Sequence, residues 1–217
     1  MSKIQDKFDL TGKTAIVTGG IGLLGREFCR TLCEAGAFVI VADIDAEKSE
    51  TYSIELRSAG YQAGFHGVDV TNPKSVQEMV AKAVKGTNRL DILVNSAAMD
   101  PKFDVSQSNQ SSGGFEEFPL DIWRTALDVN LTGMFLCCQA AAGQMVGQGE
   151  GSIINICSTY GLAGPDQRIY NKAGQPKRYK PVYYSVTKAG VLGLTRYLAT
   201  YYAGTKIRSN ALTPGGV

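Results

Sequence analysis

Residues 14–25 read TAIVTGGIGLLG. A short β-type run stops at Thr18 and gives way to four glycines, Gly19, Gly20, Gly22 and Gly25. The run shows no polar/apolar alternation, which predicts a strand covered on both faces. A helical pattern, LLGREFCRTLCEA, then fills residues 23–35, and Gly36 is placed to cap its C-terminus. Strand, glycine turn and helix in that order form the context that G-x-G-x-x-G requires, here as Gly20, Gly22 and Gly25. Without Cβ atoms the backbone can approach a pyrophosphate, and the helix N-terminus offers unpaired N–H groups and the positive end of a dipole. The same turn is also compatible with tight packing and no ligand.

Outward from this turn the pattern repeats. Phe38–Asp43 (FVIVAD) reads as a strand and 46–59 as a helix ending at Gly60. Residues 62–68 form a weaker strand, 73–85 a helix opened by Pro73, and 91–95 (DILVN) a fourth strand. The polar stretch 99–119 reads as loop. Residues 120–146 form one long helix or two joined ones, 152–157 a strand, 182–203 a helix, and Lys206–Leu212 a sixth strand. Alternating strands and helices predict a doubly wound parallel α/β sheet, and no repeat or linker divides residues 1–217 into a second domain.

Composition narrows the function. The 217 residues carry a net charge of +2 and no basic tract, which argues against nucleic acid. No apolar run is long enough to span a bilayer, and the polar start is no signal peptide. Five cysteines (Cys29, Cys33, Cys137, Cys138 and Cys157) match no zinc spacing; as buried apolar groups they suit a reducing cytoplasm, and no metal is expected. The single histidine, His66, is assigned no chemistry.

Asp43 ends the second strand, where a carboxylate can accept hydrogen bonds from both hydroxyls of an adenosine ribose and would repel a 2′-phosphate. That favours NAD over NADP. Asp45 is the better candidate for capping the helix that starts at Ala46.

Taken together, Thr18 to Gly25, Asp43, Asp69-Val70, Asn95-Ser96-Ala97-Ala98, Asn130, Ser158, Tyr184-x-x-x-Lys188 and Pro214-Gly215-Gly216 resemble the short-chain dehydrogenase/reductase family, over residues 13–217. The resemblance implies a Rossmann-like sheet of order 3-2-1-4-5-6 and reversible hydride transfer between NAD and a secondary alcohol or ketone. It implies Tyr184 as the catalytic acid/base. Lys188, one helical turn on, would lower the tyrosine's ordinary pKa of ~10 and bind the nicotinamide ribose. Ser158 would polarise the substrate oxygen, with Thr159 a second hydroxyl beside it, and Asn130 would support a proton relay. Tyr183 lacks a lysine four residues later. The implied cofactor contacts come from Gly19, Ile21, Gly22, Leu23, Leu24 and Gly25 in the turn, then Asp43 and Ile44, Asp69 and Val70, Asn95 and Ala97. Tyr184, Lys188, Pro214, Gly215 and Val217 complete them. The helices at 120–146 and 182–203, with Phe135, Leu136, Leu192 and Leu194, would also pair in a homodimer or homotetramer, or serve only as core.

Three features depart from the family pattern. The turn T-G-x-x-G-x-x-G is one residue shorter than the usual T-G-x-x-x-G-x-G and resembles the branch that holds sugar-nucleotide epimerases and dehydratases. Such an enzyme retaining NAD, or a non-catalytic NAD-binding protein, remains an alternative. Ser158 and Tyr184 stand 26 positions apart, about twice the family interval. The intervening segment carries Arg168, Lys172, Lys177, Arg178 and Lys180 against Asp166 alone, so it is either a solvated loop or a site for an anionic sugar-type substrate, such as a phosphorylated or nucleotide-linked sugar or a sugar acid. Family members also continue past Val217 with a substrate-covering segment. The resemblance therefore implies a C-terminally truncated domain and weak or absent turnover by a chain ending there.

Overall fold

The computed structural model describes residues 7–99, 114–171, 173–174 and 177–215. Six parallel strands form one sheet of order β3-β2-β1-β4-β5-β6, as expected. β1 (Thr14–Thr18) lies in the middle, every residue buried, paired with β2 (Phe38–Asp43) and β4 (Ile92–Asn95). β3 (Ala63–Gly67) extends the sheet beyond β2, and β5 (Glu150–Ile156) and β6 (Lys206–Leu212) extend it beyond β4.

The absence of alternation in these strands is explained by helices on both faces. Ala15, Val17, Val39 and Val41 pack towards α1 (Leu23–Glu34) and α2 (Ala46–Ser58), through Cys29, Cys33, Tyr52 and Leu56. Ile16, Ile40 and Leu93 face the other way, towards α3 (Pro73–Thr87) and the two long helices described next. Asn72 caps α3 by accepting from the N–H groups of Lys74 and Ser75, and Asp45 caps α2 by accepting from Lys48 N–H, as its position suggested.

The expected long helix is two joined ones. α4 (Leu120–Leu127) runs through a π-turn, Asp128–Thr132, into α5 (Gly133–Gln148). The helix passes so close to the end of β3 that a Cβ at Gly133 would lie 2.7 Å from Val70 Cγ2. α6 (Val182–Tyr201) lies beside it. Leu136, Leu192 and Leu194 pack against the core, whereas Phe135 is exposed. β5 begins at Glu150, two residues earlier than its sequence suggests. Gly149, at φ +84°, ends α5 abruptly, so the chain enters the Glu150–Lys206 pairing at once. No helix among the described residues is long and apolar enough to cross a membrane.

Candidate active site

The site lies at the carboxyl ends of β1, β2, β4 and β5, where connections leave for opposite faces of the sheet. β1 ends in Thr18, and Gly19 turns the chain at φ +66°. A Cβ there would meet Ala97 N at 2.7 Å, and one on Gly25 would lie 1.9 Å from the Gly19 carbonyl oxygen. Gly20 instead packs its α-carbon towards Val41, away from the cleft. The cleft glycines are thus Gly19, Gly22 and Gly25, the three expected as cofactor contacts, while Gly20 of the G-x-G-x-x-G pattern lies outside the cleft. The cause is that the first glycine of the short turn must hug the loop after β4. Gly22 is the N-cap residue of α1, so no side chain caps the helix, and its first turn holds no acidic residue. That is the donor set an anion needs, and the missing Cβ atoms leave it room.

One cavity of about 240 Å³ continues from this turn between Asp43, Ile44, Asp69, Val70 and Ala97. Asp43 Oδ2 accepts from Ile21 N–H at 3.4 Å and Oδ1 from Asp45 N–H at 3.4 Å, both long contacts that leave acceptor capacity. Asp69 Oδ1 accepts from the N–H and hydroxyl of Thr71, which fixes the carboxylate at the rim. Ile21 reaches neither cavity; its backbone instead ties the turn to Asp43. An adenosine-type half of a dinucleotide fits this slot, with the uncapped helix beside it for phosphates.

A second cavity, of about 650 Å³, shares Gly19 and Gly22 and runs past Leu23, Leu24 and Gly25 to Ser158, Tyr184, Lys188, Pro214 and Gly215. Residues distant in sequence therefore converge on one cleft. Ser158 follows β5 in extended conformation, its Oγ accepting from Tyr160 N–H at 3.2 Å. Thr159 lines the same cavity, so placement alone does not separate the two hydroxyls. Tyr184 and Lys188 sit one turn apart on α6, with Lys188 Nζ 5.7 Å from the Tyr184 ring centroid. The buried ammonium donates to the Ile156 carbonyl at 2.8 Å, and Cys157 Sγ donates to the Lys188 carbonyl at 3.1 Å. β5 and α6 are thereby locked together behind the cleft. Tyr183 points the other way, 2% exposed and packed 5.9 Å from Phe118.

Two expected site side chains are turned elsewhere. Asn95 lines neither cavity; its Nδ2 donates to Asn155 Oδ1 at 2.8 Å and contacts Cys138 Sγ at 3.2 Å inside the core. Asn130, in the π-turn, accepts from Met99 N–H at 2.6 Å and donates to the Met99 carbonyl and to Thr187 Oγ1. It clamps the loop after β4 to α6. Val217 lies outside the described residues. Among the cleft residues not singled out in sequence are Tyr160, Ile169 and Tyr170. All come from the 159–183 segment, which folds back onto the site. Tyr160 and Tyr170 share a hydroxyl–hydroxyl hydrogen bond of 2.7 Å. The tyrosine spacing in sequence carries no period that could have signalled it.

The sequence pattern of the short chain dehydrogenase family matches residues 13–217. The chain is 32% identical over 206 residues to the (2S)-[(R)-hydroxy(phenyl)methyl]succinyl-CoA dehydrogenase subunit of Thauera aromatica, covering 95% of this chain and 73% of that protein. It is 33% identical over 208 residues to 2,5-dichloro-2,5-cyclohexadiene-1,4-diol dehydrogenase of Sphingobium indicum, covering 96% and 74%. Among solved structures, a gluconate 5-dehydrogenase from Burkholderia cenocepacia, in complex with NADP and tartrate, superposes with a TM-score of 0.80 at 30% identity, covering 98% of this chain and 74% of that one. The chain belongs to the short-chain dehydrogenase/reductase family. It is an oxidoreductase that acts on CH–OH groups by hydride transfer with a nicotinamide cofactor.

Proposed function

We propose that this enzyme oxidises a secondary alcohol reversibly to its ketone with NAD, using Tyr184 as the acid/base. The observation that carries the reading is the meeting of Ser158, Tyr184 and Lys188 with the glycine turn on one cavity. NAD supplies a hydride acceptor at C4 of its oxidised nicotinamide. The alcohol loses two hydrogens: its hydroxyl proton passes to Tyr184, and the carbinol hydrogen leaves with its electron pair. Lys188 favours the phenolate electrostatically, and its ammonium, fixed on the Ile156 carbonyl, is held at the cleft where it can donate to a ribose hydroxyl. One lone pair of Ser158 is occupied by Tyr160 N–H, which leaves the serine O–H to donate to the substrate oxygen. Leu23 and Leu24 flank the phosphate end, Pro214 and Gly215 the nicotinamide end.

The preference for NAD rests on Asp43 and its surroundings. Lys48 is paired with Asp45 at 2.6 Å, and Arg26 is held by Glu55 and the Tyr52 ring. Neither cation is placed to serve a 2′-phosphate without giving up its partner.

Tyr184→Phe tests the acid/base role. It keeps the ring but removes the proton carrier, so kcat should fall by roughly 10²–10⁴-fold while cofactor affinity holds within a few-fold. Turnover retained within threefold would remove Tyr184 from the chemistry.

A further inference from the structure

Among its described residues, the basic segment between Ser158 and Tyr184 does not act as a block; Lys172 lies outside them. Arg168 is 90% exposed and bound to Asp166 at 2.7 Å, directed at solvent. Lys177 and Arg178 line neither cavity of the site. Lys180 alone among the segment's described cations enters the cleft. It shares the larger cavity with Ser158, Tyr170, Tyr184 and Lys188, and its Nζ lies 3.9 Å from the Tyr184 ring centroid.

Its position is built rather than incidental. Lys180 N–H donates to Gln167 Oε1 at 2.8 Å, and Gln167 Nε2 donates back to the Lys180 carbonyl at 3.3 Å. One glutamine side chain thus holds both polar groups of the Lys180 backbone. The short turn bearing Gln167 also carries Tyr170, whose hydroxyl meets that of Tyr160 at the same cleft. The segment is fastened at two points over the tyrosine.

Two ammonium groups therefore flank one ring, at 3.9 and 5.7 Å. An oxidised nicotinamide brings a third positive charge to the same cavity under the reading given above, on which this inference rests. Positive charges of this density, drawn from a partly desolvated cleft, favour an anionic companion. We propose that Lys180 selects the substrate by binding its carboxylate, and that the substrate is a short hydroxy acid. The anion must lie within a few bonds of the carbinol carbon, because Lys180 and Tyr184 are in van der Waals contact range of each other. Gln167 is a positioning residue for that contact.

The test pairs 2- and 3-hydroxy acids with their uncharged amides, assayed with NAD. The protein should prefer the acid of a pair. Lys180→Gln should cut the acid-to-amide ratio of kcat/KM by about 10–100-fold, the loss of one charge-assisted hydrogen bond, expressed mainly in KM. Lys180→Arg should recover most of it, and Gln167→Ala should show a smaller change of the same kind. Equal loss for acid and amide, or a shifted pH limb of kcat in Lys180→Gln, would mean that the lysine acts through Tyr184 and would overturn the proposal. So would turnover of neutral alcohols in preference to every acid, which leaves the dehydrogenase reading standing. If no alcohol is oxidised, that reading fails, and Lys180 is decided by calorimetric titration of malonate with and without NAD. Binding at least tenfold weaker in Lys180→Gln supports the anion site; equal binding, or none, removes it.

Discussion

The proposed preference for NAD rests on one side chain, Asp43. A carboxylate at the end of β2 accepts from ribose hydroxyls and repels a phosphate placed there. Asp43→Ser removes that repulsion at a position already half open to the adenosine slot. We expect the NAD-to-NADP ratio of kcat/KM to fall at least tenfold, about 1.4 kcal/mol of discrimination, in steady-state assays with both cofactors. An unchanged ratio would move the cofactor choice to another residue. The placement of Asp43, Ser158 and the Tyr184–Lys188 pair at the cleft was legible in sequence because each position depends on local context: a strand end, or two residues one helical turn apart. Asn95 and Asn130 were legible as positions but not as contacts. Their partners, Asn155 and Met99, are 60 and 31 residues away, and a side chain's direction at a strand end is set by what packs there. Lys180 was legible as one of several cations beside the expected pocket, but not as the one that lines the cleft. Its place depends on Gln167, thirteen positions earlier, and sequence offered only a run of like charges.

At the scale of elements, the sheet is fastened at the end away from the site. Asp91 precedes β4 and accepts from Thr14 N–H at 2.8 Å and from Arg89 Nε at 2.7 Å, with Lys13 nearby. Glu150, at the start of β5, takes Lys13 Nζ at 3.0 Å and Arg89 at 2.8 Å. Burial raises the Asp91 pKa, but the bonds from Arg89, Thr14 and Lys13 outweigh it and hold the carboxyl below its ordinary value. Its contribution is therefore complete above the unfolded carboxylate pKa of ~3.9 and is lost as pH falls through the lowered folded value. Thermal melts should show a falling Tm below about pH 4. Asp91→Ala should cost about 1–3 kcal/mol at neutral pH and flatten that acid limb, because it leaves the buried Thr14 N–H without an acceptor and the two cations with Glu150 alone. A variant as stable as the parent, with the same acid limb, would exclude this cluster as a fastening. The alternation of strands and helices was readable from short apolar runs, helical spacing and the glycines and proline that bound them. The π-turn Asp128–Thr132 was not, since the sequence there continues the apolar helical spacing without a break.

The whole molecule divides its labour between the two ends of one sheet: charged fastening at the amino ends, and open cleft at the carboxyl ends. Two cavities that share Gly19 and Gly22 suit the two halves of a dinucleotide. The helices behind them lock β5 to α6 through Cys157 and Lys188. That arrangement serves redox chemistry, isomerisation or dehydration equally well at the level of the fold; what separates them is the fate of the hydride. The decisive measurement gives the protein NAD and secondary alcohols, hydroxy acids included, carrying deuterium on the carbinol carbon. The account predicts reduced nicotinamide accumulating with one equivalent of ketone, the deuterium recovered in the cofactor, and the signal lost in Tyr184→Phe. An isomerised or dehydrated product without net reduced cofactor, or no reduction of NAD by any of them, would contradict it.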